Sequence, residues 1–287
     1  MPGIRVVADS ACDLPDEVVA RHRIPIVPLT VRFGAEELAE GGPKDFWVKC
    51  RQSTVFPETA APAPGAFVDV FRQAAADGAD GVVCITLSAK LSATIESARA
   101  AARQVEQEVK VEVVDSTSVS LGQGLLVLGA ARWAEDGRTG KSVAEVAAYV
   151  AAAATRLKVY GVLDTLENLK KGGRIGGAQA VLGSMLAIKP VIEIRDGVVH
   201  EESKQRTRGR SLQYLAGKVT EAAAAGQVQE LAIMHGDASD IDKFIDLVAA
   251  DVGREHMLVG LVGSVIGTHA GPGVVGVAWI GPDELLG

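Results

Sequence analysis

The sequence of 287 residues is poor in aromatic side chains, which make up only 4% of it, although 48% of its residues are hydrophobic. Its interior must therefore be built from Ala, Val, Ile and Leu, which form smooth aliphatic walls but few flat surfaces. Proteins that bind nucleotides or single strands by stacking need aromatic rings on which the bases lie. The composition therefore disfavours that class of function.

Basic residues are also too few for a nucleic-acid-binding protein. The chain has 29 Lys and Arg against 36 Asp and Glu, which gives a formal net charge of -7. Recognition of a phosphate backbone needs clustered Lys and Arg. A DNA-regulatory function is disfavoured, and we expect no nucleic-acid partner.

Cysteine is rare, and a long apolar run is absent. Cys12, Cys50 and Cys84 are far apart and form no C-x-x-C pair, so neither a disulfide framework nor a metal site is predicted. The first residues lack the apolar core of a signal peptide, and glycines interrupt the most apolar stretch, residues 121–131. These features predict a cytoplasmic protein without an integral membrane segment.

The first half alternates short β-branched runs with longer alanine-rich stretches, which is typical of βαβ units. Strands are predicted at residues 4–8, 26–33, 81–87 and 111–114. Helices are predicted at residues 64–76, 92–107, 119–135 and 143–155. We therefore expect an N-terminal α/β domain, residues 1–157, whose mostly parallel sheet has helices on both faces.

The pattern changes after residue 157. Two β runs flank Asp196-Gly197, and Asp-Gly between such runs is a strong hairpin signal. Further strands are predicted at residues 230–234, 257–262 and 274–280, with helices at 206–225 and 241–250. Because single cores stop growing at roughly 250 to 300 residues, a second domain is expected. It would be a C-terminal α+β domain, residues 158–287, with a mixed or antiparallel sheet.

Two acidic residues follow the first strand, where open α/β sheets collect ligands. Asp9 and Asp13 are compatible with an enzyme that acts with Ser92 on a small carboxylate or phosphate ligand. Capping of the next helix is the competing interpretation for Asp13, because Pro15 and two acidic residues follow it. The sequence leaves the role of Asp9 open.

Polar residues also end other predicted strands. Ser92 and Thr94 open a helix after a strand, so their hydroxyls and the free backbone N–H groups suit an oxyanion. An ordinary helix cap is the alternative for Ser92, because Ser and Thr are common caps.

Six ordered segments resemble the motifs of the DegV family, which includes the fatty-acid-binding subunits of bacterial fatty acid kinase. They are VADSACDLP, TAAPAPGAF, LSAKLSATIESA, VVDSTSVSLGQGLLV, LENLKKGGRIGGAQAVLGSMLAIKPVI and IGTHAGPGVVGVAW. The resemblance runs from Val7 to Trp279, which is nearly the whole chain. It implies a two-domain protein that binds one long-chain fatty acid between the domains and has no catalytic activity or cofactor of its own.

The same resemblance implies residue roles. Thr59, Ser92 and His269 would hydrogen-bond the fatty-acid carboxylate, and His269 would also attract it if the ring were protonated. Arg174 would lie near the head group, on the face met by a separate ATP-binding kinase subunit that converts the carboxylate into an acyl-phosphate. Two hydroxyls and an imidazole supply donors to an anion without burying a second full charge.

The glycine-rich segment around Arg174 has a simpler interpretation as well. Lys170, Lys171 and Arg174 can form a solvated helix C-terminus, where cations are favoured and Gly ends the helix. Residues 178–188 are apolar on nearly all sides and predict either a wall of the acyl tunnel or a plain buried helix.

Three alanines depart from the family pattern. Ala60 and Ala61 replace Ser-Gln, which removes polar groups beside Thr59. Ala93 replaces a Gly that follows the serine, and Ala adopts a positive φ less easily than Gly. These substitutions are therefore expected to affect the geometry of the head-group site more than any other part of the prediction.

Overall fold

A computed structural model describes residues 3–38, 43–135, 140–179 and 188–282. The strands are β1 (Ile4–Asp9), β2 (Ile26–Val27), β3 (Thr30–Phe33), β4 (Glu36–Glu37), β5 (Glu58–Ala60), β6 (Gly81–Thr86), β7 (Val111–Asp115), β8 (Leu157–Val162), β9 (Lys189–Arg195), β10 (Val198–Gln205), β11 (Glu230–His235), β12 (Met257–Leu261) and β13 (Val275–Ile280). The helices are α1 (Asp16–Arg21), α2 (Pro43–Gln52), α3 (Pro64–Ala76), α4 (Thr94–Gln104), α5 (Ser120–Glu135), α6 (Val143–Thr155), α7 (Glu167–Lys171), α8 (Arg208–Ala224), α9 (Ile241–Val252) and α10 (Ser264–Ala270). Short 3-10 helices cover Ser10–Cys12 and Arg254–His256.

The first sheet is parallel, in the order β2-β1-β6-β7, as the sequence predicts. Every residue of β6 is buried, which explains its unbroken apolar run. Val7 and Cys84 face the buried side of α3 and α4, whereas Val83 and Ile85 face α5 and α6. The α/β class with helices on both faces is thus confirmed.

The predicted strand at residues 26–33 is wrong as a single element. Pro28 lies between β2 and β3, and a proline has no N–H to donate and restricts the residue before it. β2 pairs with β1, but β3 belongs to a separate three-stranded sheet in the order β4-β3-β5. Antiparallel pairing of β3 with β5 places Thr59 opposite Val31.

The second sheet has mixed strands in the order β10-β9-β8-β13-β11-β12. Among the strand pairs described for this sheet, β11–β12 alone is parallel, so the predicted mixed sheet is confirmed. The β9–β10 hairpin turns at Asp196 and Gly197, whose φ angles are 52° and 77°. Positive φ at both central residues is the geometry for which Asp-Gly is preferred.

Helix α5 lies between the two sheets, because it contacts β1 on one side and both β11 and β13 on the other. Two glycines allow this close approach: a Cβ on Gly122 would lie 2.5 Å from Val159 Cγ2, and one on Gly124 would lie 2.7 Å from the Cys12 carbonyl oxygen. The main apolar core therefore continues from one sheet to the other. The partition into domains at residue 157 stays a prediction.

Across the described ranges, no helix is both long and apolar enough to cross a membrane. The candidate tunnel wall at residues 178–188 falls largely, from residue 180 to 187, outside the described residues.

Candidate functional site

An apolar pocket lies where the carboxyl ends of the first sheet meet the β9–β10 hairpin and α10. It has about 860 Å³ of space free of protein atoms, counting the part that opens to solvent. The apolar lining residues are Leu29, Ala60, Ala61, Leu87, Leu91, Ala93, Val119, Leu169, Ile192, Ile194, Val199, Val265, Ile266 and Ala270.

The described lining contains four polar side chains: Thr59, Ser92, Arg174 and His269. They are the four residues that the family resemblance singles out, and they come from segments as far apart as β5 and α10. The structure thus brings all four to one pocket. Their contact with a ligand stays a prediction.

Thr59 and His269 form a direct pair across the pocket. Thr59 Oγ1 lies 3.1 Å from His269 Nε2, at hydrogen-bond distance. His269 Nδ1 is buried and has no hydrogen-bond partner in the described part of the chain. An unpaired buried N–H is rarer than an unpaired acceptor, so the proton is best assigned to Nε2. In that tautomer His269 donates to Thr59, whose own hydroxyl hydrogen is free to point into the pocket.

Burial and the positive charge of Arg174 lower the pKa of His269 to about 4. In the protein without a ligand the imidazole is therefore neutral at pH 7, and attraction of the anion by a protonated His269 stays a prediction. Arg174 is the cation of the described lining.

The His269 pKa can be measured directly. In an NMR titration of the protein alone, the His269 ring signals should stay those of neutral imidazole until the pH falls below about 5, because the charged ring is desolvated and faces a cation. A His269 midpoint above pH 6 would contradict this electrostatic account.

Arg174 is fixed by two backbone carbonyls. Its Nε donates to the Leu91 oxygen at 3.1 Å and its Nη1 to the Gly172 oxygen at 2.6 Å. These bonds join the loop after α7 to the segment that carries Ser92. No partner for Nη2 occurs among the residues described, which leaves those donors available. Lys170 and Lys171, by contrast, are exposed in the last turn of α7, as a solvated helix end predicts.

Gly172 packs directly against His269, a contact that no sequence argument identified. A Cβ on Gly172 would lie 2.1 Å from His269 Nδ1 and 3.2 Å from the Asn168 carbonyl oxygen. The φ angle of Gly172 is -76°, which any residue adopts. The lack of space for a Cβ, and not the backbone conformation, therefore favours glycine here. The run of glycines around Arg174 was the only available signal.

Ser92 comes just before α4. Its Oγ lies 2.9 Å from Thr94 Oγ1 and accepts from the Thr94 N–H at 3.3 Å. The N-cap position belongs to Ala93, which makes no side-chain cap bond, so Ser92 as the N-cap is wrong. Ala93 has φ -80° and ψ 7°. A positive φ is not needed at Ala93, so the replacement of Gly strains no backbone angle there, and its effect on head-group geometry stays a prediction.

Comparison with known proteins shows the family of the chain. A family model described as "Uncharacterised protein, DegV family" matches residues 3–281. The chain belongs to the DegV family. A DegV domain-containing protein of Streptomyces coelicolor is 37% identical to it over 281 residues, which cover 96% of this chain and 97% of the relative.

Solved DegV structures share the whole fold. One, from Thermus thermophilus, is described as fatty acid binding of a DegV family protein; it is 34% identical, with a TM-score of 0.87, and the match covers 98% of this chain and 100% of that one. Another is DegV of Bacillus subtilis, described as a fatty acid binding protein, at 29% identity, a TM-score of 0.87 and the same coverage.

In this DegV chain Asp9 and Asp13 do not line the pocket with Ser92. Asp9 accepts from the backbone N–H of Ala11 at 3.0 Å and of Leu87 at 2.8 Å, so both its oxygens serve the fold. Burial raises the pKa of Asp9 to about 6. These contacts remove the geometric support for the enzyme alternative.

Asp13 is not the cap of α1, which begins after Pro15 without any side-chain cap bond. The Asp13 backbone is left-handed, and its Oδ2 instead accepts from the Ser120 hydroxyl at 2.6 Å. Burial raises the pKa of Asp13 to about 7. Among the described residues, no cluster of three His, Cys, Asp or Glu side chains could hold a metal ion in this DegV fold.

Proposed function

We propose that the chain binds a long-chain fatty acid in this pocket and presents its carboxylate to a separate ATP-dependent kinase subunit, which forms the acyl-phosphate. The observation that carries the proposal is the lining itself. Its apolar residues surround a small set of hydrogen-bond donors, and its described part contains no acidic side chain. Such a lining suits a ligand with a long alkyl chain and one anionic end.

The donors match a carboxylate. Arg174 supplies the positive charge, while Ser92 and the Thr59–His269 pair supply neutral hydrogen bonds. Hydrogen bonds between an ionised acceptor and a cationic donor are about twice as strong as neutral ones. A carboxylate moved out of bulk water needs such compensation, because an unpaired buried charge is very costly.

The alkyl chain would supply most of the binding free energy. Burial of ~16 carbons at ~0.8 kcal/mol per CH₂ contributes on the order of 12 kcal/mol, before association costs of several kcal/mol. Leu, Ile, Val and Ala side chains provide the apolar wall that this burial needs.

The phosphoryl donor must come from another protein under this proposal. Gly140-Lys141-Ser142 resembles the end of a phosphate-binding loop, but Ser142 caps α6 in a capping box with Glu145, and Lys141 Nζ donates to the Trp133 carbonyl oxygen. These groups are therefore committed to the fold. The exposed Lys170 and Lys171 lie in the same loop region as Arg174 and favour the approach of a phosphate-bearing partner.

Ligand extraction tests the first half of the proposal. Mass spectrometry of a solvent extract from the purified protein should recover a fatty acid, and the delipidated protein should bind added palmitate or oleate. Recovery of no fatty acid together with no binding of either would reject it.

A phosphorylation assay tests the second half. With the kinase subunit and ATP present, wild-type protein should support acyl-phosphate formation, and Ser92→Ala or His269→Ala should weaken it, because the first removes a head-group donor and the second removes the hydrogen bond that orients the Thr59 hydroxyl. His256→Ala is the matched control, since His256 is exposed and is not among the lining residues of the pocket. Unchanged phosphorylation in both site variants would remove the residue assignment.

A further inference from the structure

Polar side chains at the end of β1 and just after it hydrogen-bond to segments that line the pocket. Residues 9–13 themselves are not among its described lining. Asp9 accepts from the N–H of Leu87, and the Ser10 hydroxyl oxygen accepts from the N–H of Leu29 at 3.0 Å. Both Leu87 and Leu29 line the pocket. Polar side chains of residues 9–10 therefore fix two lining segments from behind.

Asp13, in the same segment, reaches two more lining elements. Its Oδ2 is bonded to Ser120, the first residue of α5, and the preceding residue, Val119, lines the pocket. Its Oδ1 is buried against the backbone of Gly263, the residue before α10. Burial raises the pKa of the Asp13 carboxyl, and the nearby Gly263 N–H partly offsets that rise.

Close backbone packing confines Asp13 between these elements. A Cβ on Gly263 would lie 2.5 Å from Asp13 Oδ1, and one on Gly260 would lie 3.2 Å from the Asp13 carbonyl oxygen. Asp13 and Ser120 both have left-handed backbones, with φ angles of 51° and 52°. Non-Gly residues keep this conformation only where the surroundings impose it.

We propose that Asp13 is a positioning residue that links α5 to the start of α10 and so places His269 against Thr59. Asp13 and Ser120 belong to the part of the chain that supplies Thr59 and Ser92, whereas α10 supplies His269. The carboxyl group therefore joins the two sides of the head-group site. The role of these contacts in ligand affinity rests on the proposed function, but their role in placing His269 does not.

The test uses the ring signals of His269 in the protein alone and the fatty-acid dissociation constant. Asp13→Ala should shift the His269 signals and raise the dissociation constant by up to about tenfold, the loss expected for one hydrogen bond. Asp13→Asn should recover most of both, because its amide retains the shape and can donate to Ser120 Oγ. Asp16→Ala, which changes an exposed acid in α1, should alter neither.

Ser120→Ala removes the same hydrogen bond while leaving the carboxyl group in place, and serves if Asp13→Ala does not fold. It should move the His269 signals in the same direction by a smaller amount. His269 signals that stay unchanged in the folded Asp13 and Ser120 variants would overturn the proposal. Signals that move in a protein that binds no fatty acid would instead reject the proposed function and leave the positioning role intact.

Discussion

Replacement of Arg174 by Gln should weaken fatty-acid binding by about 10- to 100-fold, because it removes the cation of the head-group site and a hydrogen bond to an ionised acceptor contributes ~1.5–3 kcal/mol. Gln can still donate to one of the two carbonyls that hold the guanidinium, the Leu91 and Gly172 oxygens. Displacement of a fluorescent fatty acid measures the change. Arg174→Lys should give an intermediate loss, since Lys keeps the charge but not the planar set of donors.

Two controls separate local contact from general electrostatics. Lys170→Gln removes the same charge from an exposed position four residues earlier, and should change affinity much less. A long-chain alcohol has no anionic head group, so its binding should be nearly the same in wild-type and Arg174→Gln protein. Equal weakening by Lys170→Gln, or equal weakening for the alcohol, would contradict a direct contact between Arg174 and the carboxylate.

Arg174→Gln also has an effect that needs no ligand. The charge of Arg174 is the second cause, after burial, of the low pKa of His269. Removing that charge should raise the His269 pKa, while burial keeps it below the ordinary value. An NMR titration of the variant alone therefore tests whether the charge of Arg174 acts on the His269 ring.

Local sequence signals were sufficient for the elements that periodicity and turn chemistry determine. Helices α3 and α6 begin and end as predicted, because Pro64 and Ser142 mark their starts and a regular apolar face follows. The β9–β10 hairpin follows from Asp196-Gly197 in the same way. These features depend on residues close together in sequence.

Elements defined by distant partners were missed. The small β4-β3-β5 sheet depends on the pairing of β3 with β5, which are separated in the sequence by α2. No short apolar repeat predicts that pairing. Helix α10 has seven residues, and its length and glycines give no helical signal. Its position depends on Phe46 and Trp47 of α2, against which Gly267 packs. Such contacts are decided by tertiary packing rather than by propensity.

The same distinction applies to the site. Motif resemblance identified Thr59, Ser92, Arg174 and His269, and the fold gathers them in one pocket. It did not give the charge state of His269, which depends on burial and on Arg174. Nor did it give the positioning role proposed for Asp13, whose hydrogen-bond partner Ser120 lies more than a hundred residues away in sequence.

Gly172→Ala should be the most disruptive single substitution near the head group that leaves every polar residue in place. The added methyl group would overlap His269 Nδ1, at 2.1 Å, and the backbone carbonyl of Asn168 at 3.2 Å limits how far residue 172 can withdraw. The imidazole must therefore move, which breaks its hydrogen bond to Thr59. Overpacking of this kind lowers the free energy of unfolding by ~1–3 kcal/mol. Affinity should fall by about tenfold, because the head-group site loses the Thr59–His269 hydrogen bond.

Gly173→Ala provides a neighbouring control with a different cause of strain. Gly173 has a φ of 71° but no atom within 4 Å of the added Cβ, so Ala there should lower the free energy of unfolding by ~1–2 kcal/mol without moving His269. A double-mutant cycle completes the test: once His269→Ala has removed the ring, Gly172→Ala should cost little further affinity. Additive losses in that cycle would show that Gly172 acts on binding by some route other than His269.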